Sequence, residues 1–221
     1  MQNKKQTFLK KIISAVMLSG ILLLLSATSF GQSEKFTQSM ETNITKLDSA
    51  KSTDELQNLA GTFTRIGDAE KTQWLPYYYA GLAFTRIGWM DPKIDKDKNA
   101  EQAKAMCDKA AAIQDNAEIS TIRNMAATQQ MMVNPQERWQ TYGQEAGAAL
   151  QKGMQSDPDN PRLYYLQGMS LFNTPEQFGG GKAKAKPVFE KAVALYKLEK
   201  VKPLYPHWGQ KQAEEQLAKC Q

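Results

Sequence analysis

The chain is poor in the residues that most often carry catalysis and metal binding. It has one histidine, His207, and two cysteines, Cys107 and Cys220, among 221 residues. One imidazole without a serine or cysteine nucleophile pattern cannot build a catalytic triad, and it offers too few ligands for an ordinary zinc site. We therefore predict no catalytic residue, no metal site and no cofactor. A hydrolase whose acidic residues meet only in the fold stays an alternative.

Strand signals are also missing. After residue 33, no stretch of four to eight residues combines apolar–polar alternation with enrichment in β-branched residues. The apolar residues instead recur at helical spacing, as in Phe36, Met40, Ile44 and Leu47. The sequence thus predicts an all-α protein.

Long apolar runs are confined to the start of the chain. Ile12 to Leu25 follows lysines at positions 4, 5, 10 and 11, and small residues lead from it to Gly31. As a helix this run would rise about 21 Å, which is short of a bilayer core of about 30 Å. The pattern is typical of a bacterial signal peptide. We predict that residues 1–31 are removed and that residues 32–221 form one exported domain, periplasmic or secreted, without stable membrane insertion.

A strong net charge is lacking once that segment is set aside. The whole chain carries 28 basic and 23 acidic residues, but four of the lysines lie before residue 12. The remaining 24 basic residues nearly balance the acidic ones. A near-neutral chain gives no reason to expect nucleic acid as a partner.

Two segments look like ligand loops but lack the required residues. The glycine-rich stretch 178–182 ends in a lysine that is followed by Ala183, whereas a phosphate-binding loop needs serine or threonine there and a strand before it. Asp91, Asp95 and Asp97 alternate with lysines and lack the glycine and glutamate of a calcium loop. We interpret both segments as connections between helices.

A small–large–small spacing occurs three times. The copies are Ala103-x3-Cys107-x2-Ala110, Ala146-x3-Leu150-x2-Gly153 and Ala185-x3-Phe189-x2-Ala192. They start 43 and 39 residues apart, a period that indicates stacked helical hairpins. Cys107 thereby falls at a core position, far from the C-terminal Cys220, so we expect the two thiols to stay unpaired.

Capping and turn residues divide the chain into four helical pairs and a last helix. Ser52-x-x-Glu55 reads as a capping box, and Asn134-Pro135 and Asn160-Pro161 each combine a capping side chain with proline at the first helical position. The later pairs are predicted at 74–87 with 99–113, 117–133 with 136–155, and 161–172 with 182–197. A capping helix is predicted after Tyr205-Pro206.

Residues 74–195 resemble the tetratricopeptide-repeat family. Tyr77-x2-Ala80-Gly81-x2-Phe84 matches the first-helix half of that repeat, and the three small–large–small spacings match its second half. The units are longer than the family's 34 residues, and Sel1-like and HEAT repeats stay as alternatives. The resemblance implies a helical-hairpin solenoid, a superhelix of about four antiparallel helix pairs plus the C-terminal capping helix.

The resemblance also implies a concave groove lined by the first helix of each pair. The groove would contain tyrosine, arginine and methionine, which are enriched in the cores of protein interfaces. We therefore expect a non-catalytic module that binds a protein or peptide partner. The residues expected to face the groove are Tyr78, Leu82, Arg86, Arg123, Gln130, Tyr165, Met169 and Asn173. The alternative is a periplasmic small-molecule carrier with an aromatic-lined helical pocket. A self-assembling homo-oligomer also stays open.

Overall fold

The computed structural model describes residues 34–221, so the predicted signal peptide lies outside the described residues. Contacts divide the chain into two units, residues 1–42 and 43–221. All secondary-structure elements within residues 34–221 are helices, and no strand occurs there, which confirms the all-α prediction for that part of the chain. Within the same range, no helix has the length and apolar character needed to cross a membrane.

The helices follow one another with short connections. Ser52 and Glu55 form the predicted capping box at the start of the second helix. The helices are α1 (34–49), α2 (Thr53–Glu70), α3 (Leu75–Met90), α4 (Lys96–Gln114), α5 (Ala117–Met131), α6 (Pro135–Arg138), α7 (Gln144–Ser156), α8 (Pro161–Asn173), α9 (Lys182–Leu198) and α10 (Gln210–Ala218).

The predicted helix 136–155 is interrupted near its start. The short α6 is followed by a π-helical turn, Trp139–Gly143, before α7 begins. Asn134 makes no side-chain capping bond, in contrast to the prediction, whereas Asn160 caps α8 as predicted. A π turn inserts one extra residue into the helical path. It therefore changes the direction in which Trp139 and Tyr142 leave the helix.

The last helix begins later than predicted. Gly209 has a φ of 108°, a left-handed conformation that glycine adopts without a steric penalty. A Cβ at this position would lie 2.0 Å from the Tyr196 hydroxyl oxygen. Helix α10 therefore starts at Gln210, and Trp208 belongs to the preceding loop rather than to a helix face.

Helices that are adjacent in the chain pack against each other within residues 43–221. The main contacts join α2 with α3, α3 with α4, α4 with α5, α5 with α7, α8 with α9, and α9 with α10. Helix α5 also contacts α3 and α8 directly. Every residue of the repeated small–large–small spacing is buried, which confirms its predicted role in packing.

Small residues allow the helices to approach closely. A Cβ on Gly67 would lie 2.7 Å from the Tyr77 ring, and one on Gly168 would lie 2.6 Å from the Phe189 ring. In the same way, a Cβ on Gly153 would lie 2.6 Å from Leu163. Aromatic and leucine side chains therefore fill the space that these glycines leave.

Both cysteines are free thiols, and they differ in environment. Cys107 is 1 % exposed and lies within 3.9 Å of the Ile119 carbonyl oxygen, whereas Cys220 is partly exposed. Burial raises the pKa of the Cys107 thiol to about 12. The Cys107 side chain is thus a small apolar core group rather than a nucleophile.

We predict that Gly168→Ala lowers the free energy of unfolding by about 1 kcal/mol or more, because overpacking against Phe189 exceeds the gain in helix propensity. The matched control is Gly147→Ala in α7, where a Cβ meets no atom within 4 Å. That variant should be more stable than the parent by about 0.5–1 kcal/mol. Urea denaturation measures both. A Gly168→Ala variant as stable as Gly147→Ala would contradict this packing.

Candidate functional site

The structure does not bring the eight predicted groove residues together as one open surface. Tyr78, Leu82 and Gln130 are 1 %, 7 % and 1 % exposed, so core packing takes the surface that a partner would need. The half-buried Arg86 donates a hydrogen bond to the Leu47 carbonyl oxygen.

The remaining predicted groove residues are at least partly exposed. Arg123 forms an ion pair with Asp108 at 2.7 Å. Tyr165 and Met169 are partly buried, and the exposed Asn173 donates a hydrogen bond to the Met169 carbonyl oxygen at 2.8 Å.

The space between Tyr78 and Tyr165 is occupied by the chain itself. The indole N–H of Trp208 donates to the Tyr78 hydroxyl at 2.8 Å, and the Trp208 ring meets the Tyr165 ring edge-on at a centroid distance of 6.4 Å. The Tyr196 hydroxyl in turn donates to the Trp208 carbonyl oxygen at 3.2 Å. The two tyrosines predicted for partner binding therefore hold this tryptophan.

Residues 199–209, which we call the C-terminal strap, continue along the first half of α3. The Tyr79 hydroxyl donates to the Leu204 carbonyl oxygen at 2.9 Å, and the Tyr205 ring meets the Trp74 ring at 5.6 Å. His207 contacts Asp48 at 2.9 Å between Nε2 and Oδ2, and both side chains are about half exposed. The only histidine of the chain thus anchors the strap.

A buried ionic network lies beneath the strap. The Arg162 Nε donates to both Glu118 carboxylate oxygens, at 2.9 and 3.0 Å, and its Nη2 pairs with Glu199. Asn160 Nδ2 donates to Glu118 Oε1 at 2.6 Å, and the Tyr78 hydroxyl lies 3.4 Å from the other oxygen. Burial raises the pKa of Glu118, although Arg162 and Asn160 act in the opposite direction. Because the charges are paired internally, this network is a structural anchor rather than an anion site.

An open cleft of about 490 Å³ lies between α7 and α8. Its size is within the usual range for ligand pockets. Leu150, Met154 and Leu171 supply its apolar part, and three glutamines, a serine and a glycine supply the rest. No charged side chain lines the cleft. Its chemistry therefore suits a neutral group rather than a carboxylate.

A second surface carries most of the exposed large apolar side chains of the described residues. Trp89 is 51 % exposed and Trp139 is 56 % exposed, although both are large aromatic residues. Met90, the residue after Trp89, is 39 % exposed, and Met132 and Val133, the two residues after α5, are each 47 % exposed. We call these five residues the tryptophan–methionine surface. Exposed apolar clusters of this kind mark interaction or ligand sites.

Contacts at Gly88 and Lys96 join the parts of this surface. A Cβ on Gly88 would lie 2.2 Å from Gln129 Oε1, so the end of α3 lies directly against the end of α5. The Lys96 ammonium donates to the Gly88 carbonyl oxygen at 2.9 Å and stands 6.0 Å from the centroid of the Trp89 ring. The side chains at the ends of α3 and α5 therefore share one edge of the helical assembly.

The π-helical turn completes that edge. Arg138 binds Asp97 at 2.6 Å and donates to the Gln130 carbonyl oxygen at 3.2 Å, which ties the turn to α4 and α5. The Tyr142 ring lies 5.7 Å from the Arg138 guanidinium and 5.3 Å from the Lys104 ammonium. These contacts hold Tyr142 in place and leave Trp139 facing solvent.

This surface was not predicted from the sequence. Trp89 and Trp139 follow the same helical spacing as buried aromatics, so periodicity alone does not distinguish them. A signal was present in their positions, because Trp89 and Met90 follow Gly88 at a helix end, and Met132 and Val133 precede Asn134-Pro135. Side chains at such ends extend past the neighbouring helix.

Metal-ligating side chains do not cluster in the described part of the chain. No group of three or more histidine, cysteine, aspartate or glutamate side chains there has a suitable arrangement. Met90 and Met132 are exposed thioethers at the tryptophan–methionine surface, and His207 is engaged with Asp48.

Comparison with known proteins identifies a relative. The described residues form an all-α fold. A solved structure, the HusA haemophore from Porphyromonas gingivalis, shares this fold with a TM-score of 0.75 and 39 % sequence identity. The alignment covers 85 % of this chain and 92 % of the haemophore. The chain therefore belongs to the HusA haemophore family. No protein-family model and no curated protein matches the sequence.

This relationship corrects the main functional expectation. The chain was expected to bind a peptide or a partner protein along a concave face, but the relative is a haemophore, a carrier of a small molecule. The protein-interaction prediction is therefore wrong, and the relationship favours the alternative of a small-molecule carrier.

We predict that Arg162→Met lowers the free energy of unfolding by about 3–5 kcal/mol, because it leaves Glu118 buried without its partner. The matched control, Arg123→Met, breaks an exposed pair with Asp108 and should change stability little. Guanidinium denaturation measures both. Equal losses in the two variants would contradict the buried network.

The deficit of Arg162→Met should also depend on pH. Without Arg162, burial holds the pKa of Glu118 above its value in the unfolded chain, so the folded state is favoured when this carboxyl is protonated. Stability is then greatest below the unfolded pKa of about 4.3 and is lost as the pH rises through the folded pKa. The deficit relative to the parent should therefore be smaller at acidic pH than at pH 8. A deficit independent of pH would contradict the role of Glu118.

Proposed function

We propose that this protein is a non-enzymatic haem carrier. The observation that carries the proposal is its 39 % identity to the HusA haemophore over 92 % of that chain. At this level of identity and coverage the two proteins share a fold along nearly their whole length. Conservation of cargo is an inference from that kinship, and it depends on whether this chain offers a surface that suits haem.

Haem imposes two requirements on such a surface. Its ring is a flat apolar plate, and two propionate groups at one edge carry negative charge. A carrier must cover part of the plate with apolar side chains and accommodate the carboxylates with donors or cations. The described residues offer exposed tryptophan and methionine side chains together with Lys96, which supports the proposal.

We also propose that the protein is exported and that its helices stack as in a repeat protein. The lysine-rich start and short apolar run of residues 1–31 support export from a bacterial cell. The contacts of α5 with both α3 and α8 are consistent with stacking of the kind seen in tetratricopeptide repeats. Such stacking would expose the ends of successive first helices along one edge.

The single histidine is not required as an iron ligand under this proposal. His207 contacts Asp48 and belongs to the strap that packs on the first half of α3, whereas Trp89 and Met90 end that helix. We therefore expect contacts with the ring and its carboxylates to dominate the affinity.

We predict that the purified protein binds haem with a dissociation constant of about 1 μM or tighter. The measurement is a titration followed by the change in the Soret absorbance band and by quenching of tryptophan fluorescence. His207→Ala is the control and should retain the affinity within about twofold. Absence of any spectral change with the parent would refute the proposal, and loss of binding in His207→Ala would overturn the statement about the ligand.

A further inference from the structure

We infer that the tryptophan–methionine surface is the haem-binding site, with Trp89 and Trp139 contacting the ring and Lys96 pairing with a propionate. This inference rests on the proposed function. It assigns the cargo to the ends of α3 and α5 and to the π-helical turn, rather than to the cleft between α7 and α8 or to the region under the C-terminal strap.

The exposure of two of the four tryptophans supports this assignment. The chain has four tryptophans, and Trp74 is 5 % exposed while Trp208 is partly buried under aromatic contacts. The other two present about half of their surface to water at one edge. Leaving a tryptophan in water forgoes the free energy of burying a large apolar area. A flat apolar ligand would recover that energy.

Two methionines at the ends of α3 and α5 also suit a ligand with a π system. Met90 is the last residue of α3 and Met132 directly follows the last residue of α5, and the Gly88–Gln129 contact holds those helix ends together. Thioether side chains are polarisable and flexible, so they adapt to the irregular contour of a ligand and make favourable contacts with π systems. The surface thus combines rigid aromatic plates with adaptable groups.

Lys96 lies where it can contact a carboxylate of a ligand that covers Trp89. Its ammonium makes a hydrogen bond with a backbone carbonyl oxygen, and no carboxylate of the described residues forms an ion pair with it. The neighbouring cations differ, because Arg138 is paired with Asp97 at 2.6 Å and Lys104 with Glu145 at 2.7 Å. Lys96 therefore stands beside Trp89 and can pair with a carboxylate without breaking an ion pair.

Long-range electrostatic attraction between this surface and the haem propionates contributes little to binding. The segment from Asp91 to Lys98 contains three acidic and three basic residues. Asp91 and Asp95 accept hydrogen bonds from backbone N–H groups at 2.8 and 3.0 Å. With a local charge close to zero, Lys96 acts by direct contact with the ligand rather than by steering it.

The α7–α8 cleft and the region under the strap each lack something that haem requires, either an accessible apolar surface or a cation free to pair with a propionate. The cleft between α7 and α8 has apolar walls but no charged side chain for a carboxylate. Under the strap, the Arg162 guanidinium is already paired with two carboxylates, and Trp208 fills the space between Tyr78 and Tyr165. Only the tryptophan–methionine surface, among these three, combines exposed aromatic side chains with a cation that lacks an ion pair.

The test compares three variants in the haem titration. Trp89→Gln/Trp139→Gln should raise the dissociation constant about tenfold or more. The matched control, Phe178→Gln/Leu198→Gln, also removes two large side chains that are 73 % and 76 % exposed, and it should stay within about twofold of the parent. Gln151→Arg introduces a bulky cation into the α7–α8 cleft and should leave the affinity unchanged.

Each outcome separates the site from the function. If the parent binds haem and the tryptophan double variant binds equally well, the site assignment is wrong and the haem-carrier proposal stands. A marked loss or gain of affinity in Gln151→Arg instead would move the site to the cleft. A parent that does not bind haem would refute the proposed function itself. Circular dichroism confirms that each variant is folded before its affinity is compared.

The role of Lys96 has its own readout. The parent should bind haem about two- to fivefold more tightly than haem dimethyl ester, whose carboxylates carry no charge. Lys96→Gln should bind the two ligands equally, because it lacks the cation that distinguishes them. A Lys96→Gln variant that still prefers the free acid by the parental factor would overturn this part of the inference.

Discussion

The contact between Gly88 and the side chain of Gln129 fixes how the ends of α3 and α5 lie side by side. The Gln129 amide donates to the Thr85 carbonyl oxygen at 2.5 Å, and Asn99 from α4 donates to the Phe84 carbonyl oxygen at 2.8 Å. These bonds pair the buried side-chain amides of Gln129 and Asn99 where α3, α4 and α5 meet. Beyond this contact, Trp89 and Met90 at the end of α3 and Met132 and Val133 just after α5 are exposed.

The buried network around Arg162 has a complementary role. It ties α5, α8 and the start of the C-terminal strap together through paired charges, and the strap covers the aromatic side chains of α3. The interior is thereby closed by residues of the same chain. A ligand has to use surfaces that the strap leaves open, such as the ends of α3 and α5.

Much of the fold could be predicted from the sequence because helix signals are local. The capping box at Ser52, the Asn160-Pro161 start and the small–large–small spacings depend on residues a few positions apart. The π-helical turn could not be predicted, because it depends on tertiary contacts of Arg138 and Tyr142 with α4. The occupation of the predicted groove by Trp208 could not be predicted either, since Trp208 contacts Tyr78, which lies 130 residues earlier in the chain.

The candidate site was harder to predict than the fold for a related reason. Periodicity shows which face of a helix is apolar, but it does not show which end of that face a neighbour covers. Periodicity therefore does not distinguish Trp89 and Trp139 from packing residues. The haem cargo had no local signal either, because the only histidine pairs with Asp48.

An NMR spectrum of the tryptophan indole N–H groups during addition of haem tests the central claim most directly. The four tryptophans give four separate reporters at known places in the fold. Ferric haem at the tryptophan–methionine surface should broaden the Trp89 and Trp139 signals and leave the Trp74 and Trp208 signals nearly unchanged. Broadening of Trp208 with no effect on Trp89 and Trp139 would contradict the site, and four unchanged signals would contradict haem binding.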